Sequence, residues 1–202
     1  EYYNEVVKPC KANGINIPVI ASHVGHSGRV RLQELIDNYD NEKDNSFEPT
    51  GFLNNWNINI CNEDIEMILE SNGLIGLSLD QRIMGVPGKQ KKAGGRNSII
   101  AIWNNLKAIL DAVYKNPKYT DTKKAKIWDC ITIGSDNEGF IDPINEFKSA
   151  LEFGEIRNQL YEIIKAKGLN KYGLNNEDIV NQCVDKVMVG NSEEFLRGHY
   201  PD

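Results

Sequence analysis

Three short apolar runs are separated by stretches with a helical repeat, and no hairpin signal joins them. The runs are "INIPVIAS" from Ile15, "LIGLSLD" from Leu74 and "KIWDCITIGSD" from Lys126. This alternation is the strongest constraint on what the chain can fold into. Strands separated by helices pair in parallel through crossover connections. Strands that are apolar along nearly their whole length belong where both faces of the sheet are covered. The pattern predicts an α/β fold with strands near 17–22, 74–79 and 128–135, adjacent, parallel and in chain order.

The intervening segments carry the 3.6-residue period. "NEDIEMILESNG" reads as a helix with Asn62 as its cap, Ile65, Ile68 and Leu69 on one face, and Gly73 as its stop. "SIIAIWNNLKAILDAVY" places Ile99, Ile102, Trp103, Leu106, Ile109, Leu110 and Val113 on one stripe. "EIRNQLYEIIKAKG" and "NNEDIVNQCVDKVM" read as two closing helices, lined by Ile156, Leu160 and Ile163 and by Ile179, Cys183 and Val187. The first dozen residues form a weaker helical pattern through Tyr3, Val6, Val7 and Cys10, with Pro9 against it.

At 202 residues the chain reads as a single domain, 1–202. Its net charge of -6 and pI near 5.2 argue against a nucleic-acid or anionic-membrane partner, since phosphates need a basic surface. The one basic run, "GKQKKAGGR", reads as a solvated loop within the glycine-rich stretch from Gly85 to Gly95. No run of about 18 apolar residues encodes a membrane-spanning helix. Cys10, Cys61, Cys130 and Cys183 are scattered, without a zinc-type CxxC pair, and read as mostly buried thiols.

Parallel sheets carry chemistry at the carboxyl ends of their strands. Those ends hold His23 and His26, then Asp80, Gln81 and Arg82, then Asp136, Asn137 and Glu138. An imidazole and a carboxylate at neighbouring strand ends suit a divalent metal or proton transfer. His23 alone could equally be a half-buried histidine bonded to a backbone carbonyl, and Asp136 a turn residue in "SDNEG". His26 reads as a metal ligand, a substrate contact or a support to the site.

At these residues the chain resembles the membrane dipeptidase (renal dipeptidase) family. "PVIASH" is similar to that family's "PVI-S-H" strand, and "NINICNEDIEMILESNGLIGLSL" to its Asn-Leu-Ser stretch, helix and Gly-Val-Ile-Gly strand. "ITIGSDNEGF" resembles its Gly-Ser-Asp-Phe-Asp-Gly strand end, and "NNEDIVNQCVDKVMVGNSEEFL" its closing helix pair. The resemblance covers about Ile15 to Leu196. It implies the C-terminal portion of a (β/α)8 TIM-type barrel of the metal-dependent amidohydrolase type. The implied activity is dipeptide or related amide hydrolysis with zinc, two ions in a full-length protein and few or none in this part. It places a metal ligand at His23 and the catalytic carboxylate at Asp136.

The family's early His-x-Asp pair, bridging Glu and further metal-binding His have no counterpart in the chain. Ile58 stands before Asn59 where the family has the arginine that binds the substrate carboxylate, and Glu138 replaces its second Asp. Arg29, Arg31 or Arg82 is available to replace that arginine. The expected substrate-binding set is therefore His26, Arg29, Asn59 and Arg82, acting on a small peptide or amide. Three strands cannot close an eight-stranded barrel. The expected partner is thus the missing N-terminal half of the barrel, with a homo-oligomer as a further option. The alternative reading is a non-catalytic binding protein on the same scaffold.

Overall fold

The computed structural model describes residues 2–39, 53–86, 98–137, 139 and 141–200. The basic run and most of the glycine-rich stretch lie outside the described residues, as does Glu138. Strands β1 (Ile20–Val24), β2 (Leu74–Leu77) and β3 (Ile131–Ile133) form one sheet in the order β1-β2-β3. Both pairs are parallel. This is the mixed α/β arrangement that the alternating pattern predicts.

The helices are α1 (Lys8–Ala12), α2 (Leu32–Tyr39), α3 (Asn62–Ser71), α4 (Ser98–Tyr114), α5 (Asp121–Ala125), α6 (Phe153–Gly168), α7 (Glu177–Asp185) and α8 (Asn191–His199). A π-helical turn, Tyr3–Val7, runs directly into α1, and Pro9 sits near the junction of the two. Helices α2 and α5 were not predicted, although α2 carries a clear amphipathic period. No helix among the described residues is long and apolar enough to cross a membrane.

The strands are shorter than predicted, for local reasons. Pro18 has no N–H to give, and the Val19 N–H bonds the Ser71 hydroxyl, so regular pairing starts at Ile20. Before β3, Lys126–Asp129 closes a 3-10 turn, and its carbonyl at Ile127 takes the Cys130 N–H. The residue that caps α3 is Cys61, not Asn62. Cys61 has extended backbone, and the Asp64 carboxylate accepts from both its N–H and its thiol. At the other end the left-handed residue is Asn72 rather than Gly73, with φ 53°.

Ile75 and Leu77 of β2 share a face with their partners Ile131 and Ile133 of β3. That face joins one continuous core with Ile65, Ile68 and Leu69 of α3 and with α4. The whole predicted α4 stripe is buried, from Ile99 to Val113. Each large side chain in it contributes about 1.5–3 kcal/mol of burial. In α6 the buried line runs Ile156, Leu160, Ile164, so Ile163 is only half-buried. In α7 Val180, Cys183 and Val184 are buried and Ile179 is partly exposed.

A π-helical turn, Lys186–Gly190, follows α7 and carries Val187 into the core. The Asn191 amide then donates to the carbonyls of Trp128 and Ile131, at 2.7 Å each, and ties α8 to the start of β3. The expectation that every strand is covered on both faces fails at β1. Ile20 is 52% exposed, and β1 is an edge of the sheet. All four cysteines are free; Cys61, Cys130 and Cys183 are buried and Cys10 is partly so. Burial pushes the Cys61 thiol up to about 12 and those of Cys130 and Cys183 up to about 11.

Candidate functional site at the strand ends

Side chains alternate between faces along a regular strand. At Ser22 and His23 this alternation breaks. Ala21 pairs with Ile75 and Val24 with Leu77, so two residues of β1 lie opposite Gly76 alone. This is a β-bulge, which bends a strand and re-aims its side chains. The Ser22 carbonyl leans across β2. It lies 2.1 Å from where a Cβ on Gly76 would stand, and 1.9 Å from where one on Gly134 would stand. Only glycine at both positions lets the bulge settle against the end of β3.

The bulge sets His23. Its ring is half-buried, with Nδ1 2.7 Å from the Ser22 hydroxyl oxygen, and Nε2 has no hydrogen bond among the described residues. Asp136 lies three residues beyond β3 and two beyond Gly134. It is exposed, it adopts φ 55°, and the Gly139 N–H bonds its carbonyl at 2.8 Å. Aspartate tolerates the left-handed region better than most residues. Its carboxylate carries no hydrogen bond among the described residues. Contact between Ser22 and Gly134 thus brings the His23 and Asp136 segments to the same end of the sheet.

The other predicted residues have internal partners. His26 is 4% exposed, and its N–H bonds the Asn105 side-chain oxygen at 2.7 Å. The Gly28 N–H donates to His26 Nδ1 at 2.9 Å, so Nδ1 is the unprotonated nitrogen. Nε2–H therefore donates to the Asn62 side-chain oxygen, also at 2.9 Å. Burial lowers the His26 pKa, against the Asn62 bond and the nearby Asp64 charge, which raise it. Asn59 accepts from the Gly25 N–H and donates to the carbonyls of Asn54 and Ile83. Asn105 likewise donates to Met84 and Ala101. These two amides bind the end of β1 to the loop after β2. In this arrangement His26 and Asn59 act as struts, and their polar atoms point to protein groups rather than to substrate.

Arg82 grips Asp80, which is 1% exposed, through its guanidinium and its own N–H, and the Asp142 N–H adds a third donor. Burial pushes the Asp80 carboxyl up, but these donors outweigh it and hold the pKa below its ordinary value. Gln81 donates to the Pro143 carbonyl at 2.8 Å, so the loop after β2 is fastened to the segment after β3. Arg29 is half-buried in the loop after β1. The Asn137 amide and the Glu146 carboxylate have buried atoms without hydrogen-bond partners among the described residues, and burial raises the Glu146 pKa.

Sequence reasoning missed Ser22, Gly76, Gly134 and Asn105. The signal for the glycines was present, because an isolated glycine in a strand pattern marks a bulge or a close backbone approach. Comparison of the chain with protein-family models, with curated proteins and with solved structures gives no match.

Whether a metal fits can be judged from the donors. His23 presents an imidazole nitrogen held by a neighbouring hydroxyl, which suits one ligand position. Among the described residues no group of three or more His, Cys, Asp and Glu side chains is placed to hold an ion. A catalytic zinc uses three protein ligands. The described residues alone hold too few donors for such a site.

Proposed function

We propose that this chain forms part of a metal-dependent hydrolase of peptide or related amide bonds, built as the C-terminal portion of a (β/α)8 barrel. The observation that carries the reading is the contact of the Ser22 carbonyl with Gly134, which joins the segments of His23 and Asp136 at one end of a parallel sheet. The sequence resemblance to the membrane dipeptidase family supports the same two residues. A closed barrel would need strands to pair along both edges of the sheet, at β1, where Ile20 stands half exposed, and at β3, whose Ile131 carbonyl accepts from the Asn191 amide.

In this reading His23 Nε2 would be one ligand of a zinc ion, with the other donors supplied from outside the described residues. Bound zinc lowers the pKa of a water and polarises a carbonyl. Asp136 takes a proton from the attacking water and returns it to the leaving amine. Its carboxylate is exposed and has no hydrogen bond among the described residues. Arg29 is retained as a candidate for the substrate carboxylate. His26, Asn59 and Arg82 hold the loops that surround the site.

The test is zinc content and dipeptide turnover of the full-length gene product, before and after chelation. His23→Ala is expected to lower bound zinc. Asp136→Asn is expected to keep most of the zinc and lose about 10²–10⁴-fold in turnover. Zinc-loaded full-length protein that cleaves no peptide or amide would overturn the hydrolase reading and favour a binding protein on the same scaffold.

A further inference from the structure

The bond between adjacent side chains, Ser22 and His23, is unusual for a strand. In regular pairing these two side chains would point to opposite faces. The bulge turns them to one side, and Gly76 in β2 and Gly134 just past β3 make room for it.

We infer that Ser22 is a positioning residue, which holds the His23 ring with its proton on Nδ1 and leaves the Nε2 lone pair open to an electrophile. Ser22 is exposed, so its hydroxyl can give its own proton to water while it accepts from Nδ1–H. Nε2 has no protein partner among the described residues that would require it to carry the proton. His26 provides the contrast. Its Nδ1 faces a backbone N–H, which can only donate, and so its proton sits on Nε2. The chain thus holds two histidines three residues apart in opposite tautomers. One is closed by protein groups and one is open to a ligand. Metal-binding histidines commonly have their second nitrogen fixed in this way, and loss of that partner costs about 10–100-fold in metal affinity.

This inference rests on the hydrolase reading only for the nature of the electrophile. The test therefore has a metal-free arm. Imidazole 15N shifts at alkaline pH, where the ring is neutral, report the tautomer. Signals of His23 are identified by their loss in His23→Gln. In the zinc-free protein His23 is expected in the Nδ1–H form and His26 in the Nε2–H form. Ser22→Ala is expected to give averaged His23 shifts and leave those of His26 unchanged, whereas Ser22→Thr keeps the hydroxyl and the single tautomer. In the second arm zinc alone is titrated into the full-length protein. Ser22→Ala should weaken zinc binding about 10–100-fold, with Ser22→Thr close to the parent. A parent His23 with its proton on Nε2, or a Ser22→Ala variant with unchanged tautomer, would overturn the inference. A parent that binds no zinc would overturn the hydrolase reading, and the tautomer arm would still decide the role of Ser22.

Discussion

His26 shows how a polar residue at a strand end can be structural. Both ring nitrogens have protein partners, and burial lowers its pKa below the ordinary histidine value. The unfolded chain therefore binds a proton at a pH where the folded chain does not. The resulting stability is fully present above the unfolded value of about 6.5, and it is lost as pH falls through the folded value. Urea midpoints measured across this range should fall with acidification in the parent and lose that component in His26→Gln. A parent whose midpoint is flat from neutral to mildly acidic pH would remove His26 from the fold's pH response. The sequence marked both histidines but could not tell which was internally satisfied. The partners of His26, Asn62 and Asn105, are 36 and 79 residues away along the chain. Asn59 raises the same difficulty, because its saturated amide looks, in sequence, like a free substrate contact.

At the scale of elements, periodicity was legible where the element is long. Helix α4 runs for 17 residues, and its predicted stripe is buried throughout. The α7 stripe was less well placed: Val180 and Val184 are buried where Ile179 was expected, while Cys183 and Val187 lie in the core as predicted. Helix caps also escaped prediction, since a thiol in Cys61 did the work assigned to Asn62. The β1 bulge was only partly legible: the glycines signal a close backbone approach, but the bulge depends on residues of β2 and the end of β3 as much as on β1. Its requirement is steric. Gly134→Ala would put a methyl group 1.9 Å from the Ser22 carbonyl oxygen, a distance no side-chain adjustment relieves. The expected loss is at least about 2–3 kcal/mol by urea denaturation. A Gly134→Ala variant as stable as the parent would show that the Ser22 carbonyl does not rest on β3.

For the whole molecule, strand order and direction followed from the alternating pattern, because parallel pairing leaves few routes for the chain. The sequence did not show how unequal the two edges of the sheet are. The β3 edge meets the turn at Lys186–Gly190 and α8, whereas β1 keeps an exposed Ile20. The four free thiols are spread over these same layers, and three of them are buried with raised pKa values. Alkylation requires both access and a thiolate, so a buried thiol reacts only when its surroundings open. Iodoacetamide under native conditions should modify Cys10 first, followed far more slowly by Cys183, Cys130 and Cys61, as read by peptide mass spectrometry. Cys61 reacting as fast as Cys10 would contradict the packing at the start of α3. The chain therefore carries its own set of clocks. Cys61 lies next to Asn62, the partner of His26, so its rate of modification times the breathing of the loop that frames the candidate site, without a label or a probe being added to the protein.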